Sequence, residues 1–429
     1  MKDNFQIIIV IIFIVGAVFG VLVFSGTIKL GNDGADQGQG TVVLWGTEKV
    51  EVMSPVLEAF NAAHPTFVVK YVQKFEDTFD KELLEALASQ AGPDLFFLPD
   101  NLAFHYKNKL FTIPFSSYPL VSFQNNFAGG GSVFLTSKGI LAFPITIDPL
   151  VMYFNKSMLD ANGIVYPPKT WDELVTMVPT LTKKDDANKI NKSAVALGQF
   201  SNITHAKDIL AALFMQGGNP MVSEKEGRLT STLTDSSKYS VNSILEFYTN
   251  FADPLHPLYS WNRSFPNSVD SFSAENTAIY FGYASEIQSI VNRNPNLSFG
   301  IAPLPQIEGS NTKLTGGQVT GIAISAFSKN FNTAFIAAGL MSSGEFAKSF
   351  SSGLGIAPAR RDLLTAIPAD PYSPIFYSSA LYTRSWLDPD PVETNKIFKS
   401  MIESVLSSNL SIADALRDAH SKLSLSLLK

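Results

Sequence analysis

The chain has 429 residues, more than one ordinary hydrophobic core accommodates, and this length predicts two domains of comparable size. Its net charge of −6 argues against nucleic-acid binding, which needs a basic face to neutralise phosphates. The lack of any cysteine excludes disulfides, thiolate nucleophiles and cysteine-ligated zinc.

The first element along the chain is an apolar run from Phe5 to Phe24 that contains no charged residue. A helix needs about 20 such residues to cross a bilayer, whereas a secretory signal peptide has a shorter apolar core and small residues before its cleavage site. VFSG at the end of the run is a poor cleavage site. The sequence therefore predicts a cytoplasmic stub at 1–4 and an uncleaved transmembrane signal anchor at 5–24.

A tether is predicted next, at 25–40, because the stretch GNDGADQGQG carries no apolar side chain larger than alanine. The globular body is thus expected on the extracytoplasmic side of the cell membrane, held by a single N-terminal pass.

After the tether, strand and helix patterns alternate. Apolar runs predict strands at Thr41–Trp45, Thr66–Val72 and Leu95–Leu98, and apolar residues at helical spacing predict helices around 50–60 and 79–87. This β-α-β-α-β order predicts a mainly parallel sheet with helices on its faces. In such sheets the ligand crevice lies beyond the carboxyl ends of the strands.

A second lobe is predicted to start just after Asp148. ILAFPITI ends at this residue, and LVMYF is predicted as a further strand. Asn155 is a candidate N-cap, Gly163 a candidate left-handed helix stop, and Thr170-x-x-Glu173 a capping box behind two prolines. Later segments predict strands in ENTAIYFGYASEI, which runs into a glycine-bearing turn, and in FGIAPLPQ and GIAIS. A helix at Phe331–Met341 and an all-helical C-terminus follow.

The sequence shows no recognised catalytic or metal-binding motif. The five histidines show no metal-binding spacing, and the chain contains no G-x-S-x-G elbow, P-loop or G-x-G-x-x-G fingerprint. Paired acids for glycoside hydrolysis remain open, because their spacing is spatial rather than sequential. No cofactor and no metal are expected.

What remains is a group of aromatic, amide and acidic residues, most of them at predicted strand ends. Aromatic rings can stack on the apolar faces of sugars, while carboxylates and amides bond their hydroxyl rims. The candidate ligand-binding residues are Trp45, Glu48, Asp100, Asn101, Asp148, Tyr283, Glu286, Tyr382 and Trp386.

The body resembles the family 1 extracellular solute-binding proteins, the maltose-binding-like receptors of ABC importers. The resemblance rests on VLWG, GPDLFFLPDN, FPITIDPLVMYFNKSMLDANGIVYPPKTWDEL, AIYFGYASEI, FGIAPLPQ, GGQVTGIAIS, LMSSGEFAKSFSSGLGIAPARRDL and ALRDAHSKL, in the family's order from about Thr41 onward. It implies a type II periplasmic-binding-protein fold of two α/β lobes, each a mainly parallel sheet flanked by helices. The ligand cleft would lie between lobe one (41–147 and 301–355) and lobe two (148–300 and 356–429), with Phe143–Asp148 as a hinge strand.

The resemblance also implies roles for individual residues. Asp148 falls at an acidic sugar contact, and Asp100-Asn101 at a polar loop after the third strand. Tyr283 stands where the family often has tryptophan, a departure that leaves the ligand type open. The family's lipid-bearing cysteine is missing, which indicates anchoring by a helix instead.

The expected function is that of a membrane-tethered, monomeric receptor. It would capture a small polar solute, a mono- or oligosaccharide, and present it to the permease subunits of an ABC importer, without catalysing a reaction. Two alternatives stay open from the sequence: a membrane-anchored carbohydrate hydrolase, and a sensory or adhesive ectodomain on the same fold.

Overall fold

The computed structural model describes residues 38–225, 228–235, 237–366 and 368–428. The predicted stub, the signal anchor and the tether up to residue 37 lie outside this range. Within it, no helix combines the length and the apolar character that crossing a membrane requires.

The chain folds into two compact units, each assembled from separate segments. The first unit contains 38–146, Val319–Leu354 and Pro358–Ala366, and the second contains Ile147–Gln318, Gly355–Ala357 and the described residues from 368 onward. Compared with the lobes expected from the sequence, 301–318 lies in the second unit and 358–366 in the first.

The first unit is built on three parallel strands in the positions that the sequence predicts. Gly40–Gly46 pairs in parallel with Phe67–Gln73 on one side and with Leu95–Pro99 on the other. Residues 320–324 add an antiparallel strand beside Leu95–Pro99. Val42 and Leu44 are fully buried, as a strand covered on both faces requires.

Helices and short strands complete the first unit. Met53, Leu57 and Phe60 of the helix Val50–Ala63 are buried, which confirms the predicted helical spacing. The helix Phe331–Met341 has the bounds that its sequence predicts. The other helices are Glu76–Ala88, Ala103–Tyr106, Leu120–Asn126 and Gly344–Leu354, with short strands at Leu135–Thr136 and Gly139–Ile140.

One long strand, Ala142–Asn155, passes from the first unit into the second, and we call it the crossing strand. The sequence predicts two strands meeting at Asp148-Pro149, and this prediction is wrong. Beyond Pro149 the crossing strand pairs antiparallel with Thr277–Tyr283 on one edge and with Phe299–Pro303 on the other. These pairings hold the chain extended through a dipeptide whose local preference is to turn.

The sheet of the second unit is mixed rather than mainly parallel. Thr277–Tyr283 runs parallel to Ile190–Val195, but both neighbours of the crossing strand beyond Pro149 are antiparallel to it, and Lys183–Lys184 is antiparallel to Ile190–Val195. A strand that enters the sheet from another unit has a direction fixed by that unit, not by a local crossover helix. Thr315–Ile324 begins in this unit beside Thr383–Arg384 and ends in the first.

Capping residues start and stop the first helices of the second unit as predicted. The Asn155 side chain accepts a hydrogen bond from the backbone N–H of Met158 at 2.9 Å, and Gly163 has φ of 71°. The Thr170 hydroxyl accepts from the N–H of Glu173 at 3.1 Å, and the Glu173 carboxylate accepts from the N–H of Lys169 rather than of Thr170. The box is thus closed one residue earlier than its usual form.

The remaining elements of the second unit are mostly helices around the sheet. A hairpin forms from Val222–Lys225 and Arg228–Ser231. The helices are Lys156–Asp160, Trp171–Leu181, Ala206–Gln216, Val241–Asn250, Ser268–Ser273, Ile287–Arg293, Ser373–Leu381, Pro391–Leu406 and Ile412–Ser426.

Candidate functional site

The crossing strand and its neighbour place a buried carboxylate in the second unit. Asp148 precedes Leu150, which pairs with Tyr283 at the end of Thr277–Tyr283. The backbone N–H of Ser285, in the turn that follows, donates to Oδ1 of Asp148 at 3.1 Å. Asp148 is 9% exposed, and burial raises its pKa to about 6, although the hydrogen bonds from Ser285 act in the opposite direction. The turn and the crossing strand therefore hold a carboxylate in the middle of the crossing strand, with little contact to water.

The short turn Ala284–Glu286 is fixed by its last residue. The Glu286 carboxylate accepts hydrogen bonds from the hydroxyl of Tyr280 at 2.5 Å and from the backbone N–H of Tyr283 at 2.9 Å. Gly282, predicted in a turn, lies within the strand instead, where a Cβ would come 2.5 Å from the ring of Tyr280. Both oxygens of Glu286 are used inside the protein, so this predicted ligand residue also supports the turn.

Tyr283 is held from three directions. Its backbone carbonyl accepts a hydrogen bond from the Tyr153 hydroxyl at 2.7 Å, and its N–H bonds Glu286. The ring of His205 packs edge to face on the Tyr283 ring, with 4.5 Å between centroids. Tyr283 is only 4% exposed, so its ring is packed in a fixed position within the protein.

His205 joins this network from a distant part of the chain. It precedes the helix Ala206–Gln216, and its Nε2 lies 2.5 Å from Oε1 of Glu286. Burial lowers the pKa of His205, but the hydrogen bond to Glu286 and the charges of Glu286 and Asp208 outweigh burial and raise it above the ordinary value. The sequence gives no signal for this role, because its partner Glu286 is 81 residues away.

A cavity of about 460 Å³ opens beside His205. It is lined by residues before and at the start of the helix Ala206–Gln216 and by one face of Pro391–Leu406, among them Phe200, Ser201, Lys207, Asn395 and Lys399. This volume lies within the range of about 300–1,000 Å³ that is usual for small-molecule sites.

A buried ion pair links the helix Ala206–Gln216 to the segment just before Pro391–Leu406. Nζ of Lys207 lies 2.7 Å from Oδ2 of Asp388, and the Thr394 hydroxyl also donates to Asp388 at 2.9 Å. Burial raises the pKa of Asp388 in spite of the Lys207 charge. Trp386 is 8% exposed, stacks on Phe398 at 6.3 Å between centroids, and lies 6.0 Å from Nζ of Lys207.

Tyr382 lies elsewhere in the second unit, after the helix Ser373–Leu381. It is half-buried, and its hydroxyl lies 3.2 Å from Oγ of Ser379.

In the first unit, Trp45 lies near the end of the strand Gly40–Gly46, and Glu48 follows shortly after that strand. Both are half-buried. Nζ of Lys74 lies 3.8 Å from the centroid of the Trp45 ring, so an ammonium already covers part of this aromatic face. Burial, and then the charge of Glu76, raise the pKa of Glu48.

Asp100 and Asn101 follow the next strand of the first unit. Asp100 is 4% exposed and accepts a hydrogen bond from the N–H of Asn101 at 2.9 Å. Oδ1 of Asn101 is buried, and no donor reaches it within the described residues. A buried amide oxygen without a donor is costly, which makes it a good acceptor for a ligand hydroxyl.

The nine predicted site residues therefore fall into two sets. Asp148, Tyr283 and Glu286 form one connected network in the second unit, which also holds Tyr382 and Trp386, while Trp45, Glu48, Asp100 and Asn101 belong to the first unit. Among the residues that the structure describes, no group of histidine and acidic side chains is arranged to hold a metal ion.

Comparison with known proteins gives one family and a consistent fold. The model of the bacterial extracellular solute-binding proteins matches residues 45–350. A cyclo/maltodextrin-binding protein complexed with maltotetraose is 19% identical, with 91% of this chain and 97% of that one covered and a TM-score of 0.71.

Two further solved structures agree. The sugar-binding protein MalE from Xanthomonas citri is 18% identical over 90% of this chain and 97% of its own, with a TM-score of 0.73. A solute-binding protein from Thermotoga lettingae, bound with alpha-D-tagatose, is 19% identical over 91% and 100%, with a TM-score of 0.64.

Proposed function

Because the chain belongs to the bacterial extracellular solute-binding proteins, we propose that it captures a mono- or oligosaccharide for an ABC importer. Membership agrees with the resemblance seen in the sequence and makes the chain a binding protein rather than an enzyme, which sets the hydrolase alternative aside. Two of the similar structures carry maltotetraose and alpha-D-tagatose, and their ligands support a sugar as the solute.

The observation that carries the proposal is the carboxylate of Asp148, held inside the crossing strand by the turn that follows Tyr283. A buried carboxylate with one backbone donor keeps further lone pairs for the hydroxyls of a solute. Asn101, with its unpartnered buried oxygen in the first unit, offers a second acceptor of the same kind. Sugar hydroxyls are donors that suit both groups.

The other predicted residues are also proposed contacts, and they differ in how far protein groups already cover them. Trp45 has Lys74 on its ring, so a sugar would have to share that face or displace the ammonium. Trp386 and Tyr382 are largely packed against protein groups, so their proposed contacts use only the part of each side chain that stays exposed.

The proposal extends to location and partners. The uncharged run Phe5–Phe24 would remain as a transmembrane anchor, with the body of the monomer outside the membrane beside the permease subunits of the importer. This part rests on the sequence alone.

Titration calorimetry on the full chain in mild detergent, across a panel of mono- and oligosaccharides, tests the proposal. A genuine ligand at 100 times its Kd should add about 2.7 kcal/mol to the free energy of unfolding. Asp148→Ala should weaken binding of that ligand by about one to two decades, since a hydrogen bond to a charged group is lost. If no saccharide binds, or if Asp148→Ala binds as tightly as the parent, the proposed site is wrong.

A further inference from the structure

His205 has a backbone conformation that histidine adopts infrequently. Its φ of 62° and ψ of 25° are left-handed, and it occupies the position before the first residue of the helix Ala206–Gln216. Non-glycine residues in this region are uncommon, and they cluster at functional sites because the surrounding structure must hold them there. The contacts of the ring identify what holds this residue.

Both nitrogens of the His205 ring face carboxylates. Nε2 lies 2.5 Å from Oε1 of Glu286, and Nδ1 lies 3.8 Å from Oδ2 of Asp208. A neutral imidazole would turn one unprotonated nitrogen towards a carboxylate, whereas the imidazolium offers a proton to each. The geometry therefore favours the charged ring.

The charges around the ring come from several elements. The turn after Thr277–Tyr283 supplies Glu286, the crossing strand supplies Asp148, and the helix itself supplies Asp208 and Lys207. Across the cavity, Lys399 of Pro391–Leu406 is exposed and free to swing into water. Tyr280 and Tyr283 bring ring and hydroxyl groups but no charge at neutral pH. The nearest charged groups are carboxylates.

We propose that the imidazolium of His205 is a positioning group for the solute site: it locks the turn Ala284–Glu286, and with it Tyr283, so that solute affinity falls when the ring loses its proton. This inference rests on the proposed function. The ring reaches the turn by two routes, an ion pair with Glu286 and an edge-to-face contact with Tyr283. It also lines the cavity, so a change in its charge acts at the wall of that cavity.

The sign of the pH dependence follows from the state that binds. The competent ring is protonated, and the pKa of His205 is raised by its partners, so affinity is full below that pKa and declines as the pH rises through it. Asp148 acts in the opposite direction, because its carboxylate forms as the pH rises past about 6. Affinity should pass through a maximum between the two.

His205→Asn is the test variant, because asparagine tolerates a left-handed backbone but carries no positive charge. His105→Asn is the matched control, since His105 is exposed in the first unit. For both variants and the parent, calorimetry from pH 5 to 9 would measure the Kd of the saccharide found in the screen. NMR of the ring protons would follow the histidine titrations without ligand.

The affinity of the parent should decline on the alkaline side. His205→Asn should bind the saccharide about tenfold more weakly near pH 6.5 and should lack this decline. The control should follow the parent. The His205 resonance, identified by its loss in the variant, should titrate above pH 6.5. Parallel affinity profiles for parent and His205→Asn, or an unshifted titration, would overturn the inference.

Two further arms keep the test decisive. If His205→Asn fails to fold, Glu286→Gln is the second variant: its amide oxygen can still accept from the N–H of Tyr283, its NH2 group faces the Tyr280 hydroxyl, and the charge is removed. It should move both the NMR titration and the alkaline decline to lower pH. Unchanged values would count against the inference. If the parent binds no saccharide at any pH, the proposed function fails, and the NMR titration alone then decides whether His205 is held as an imidazolium.

Discussion

At the scale of single residues, Asp148 shows how a binding group can lower the stability of the protein that carries it. Its carboxylate is buried, and its pKa is raised to about 6 from an ordinary value of 3.8. The folded protein therefore binds this proton more tightly than the unfolded chain does. Between about pH 4 and 6 the free energy of unfolding increases as the pH falls. Above pH 6 the carboxylate is ionised and desolvated, and this lowers the free energy of unfolding.

We expect Asp148→Asn to be more stable than the parent at pH 7.5, by about 1–3 kcal/mol, because the amide keeps an acceptor for Ser285 and has no charge to desolvate. The gain should disappear near pH 4, where the parent carboxyl is protonated too. Urea unfolding at the two pH values measures the difference.

Asp270→Asn is a suitable control, since Asp270 is 54% exposed and its ion pair with Arg293 lies at the surface. The same small change is expected at both pH values. A loss of stability in Asp148→Asn at pH 7.5 would mean that the carboxylate is structurally required.

Some of this site could be predicted from the sequence and some could not. Tyr283 and Asp100 are predicted because residues at strand ends collect at one edge of an open sheet, and Asp148 is predicted on the same ground although it lies inside an unbroken strand. As ligand contacts, all three stay predictions. His205 could not be predicted, because neighbouring residues show nothing of a partner 81 positions away. The unpartnered oxygen of Asn101 is likewise a property of the packed structure, since it depends on which donors fail to reach it.

At the scale of elements, the Lys207–Asp388 pair joins the helix Ala206–Gln216 to the segment just before Pro391–Leu406, which is far away in sequence. Lys207 is 12% exposed and Asp388 is 3% exposed. Burial raises the pKa of Asp388 even with its partner in place, so the carboxylate depends on the ammonium to stay ionised. Removing one member of such a pair leaves a buried charge uncompensated.

We expect Lys207→Met to reduce the free energy of unfolding by about 3–5 kcal/mol at pH 7.5, and the double variant Lys207→Met/Asp388→Asn to recover part of the loss. Denaturant unfolding of the four members of this double-mutant cycle provides the measurement.

Lys396→Met serves as the control, on the helix Pro391–Leu406 that follows Asp388. Lys396 pairs with Glu393 at 3.3 Å, but its side chain is 69% exposed, so its change should stay below about 1 kcal/mol. Equal effects of Lys207→Met and Lys396→Met would contradict the buried-pair account.

Local sequence signals predicted the elements well where the structure depends only on neighbouring residues. Asn155 and Thr170 cap their helices because each side chain needs only a backbone N–H three residues ahead. They failed at Asp148-Pro149, where one strand was expected to end and another to begin, and an unbroken strand is found. Pairing with Thr277–Tyr283 and Phe299–Pro303 is long-range, and it overrides the local preference.

At the scale of the whole molecule, the family and its two-unit α/β architecture were predicted from motif order, but the segment boundaries were not. Residues 301–318 pack in the second unit, although the family pattern assigned them to the first lobe. Sequence order gives the succession of strands, whereas membership of a unit depends on contacts that each segment makes once folded.

Anchoring is a property of the whole chain and has a direct test. We expect the full protein to stay in the membrane fraction after carbonate extraction, and a chain shortened to residues 38–429 and exported on a cleavable signal to be released. Phe5–Phe24 is the segment that differs between the two forms. Mature protein in the medium beginning near Gly26 would show that the anchor is cleaved.

Because each unit is assembled from separate segments of the chain, the order of synthesis delays completion of the first unit. The first unit needs 38–146 together with Val319–Leu354 and Pro358–Ala366, so about 170 residues of the second unit are made before its missing parts begin to appear. At about 5–20 residues per second this is a wait of roughly 10–35 s, against microseconds for a helix or hairpin to form. During that interval the three parallel strands lack their antiparallel neighbour at 320–324, and the edge of Leu95–Pro99 stays unpaired. The first unit therefore completes its sheet only after most of the second unit has been synthesised.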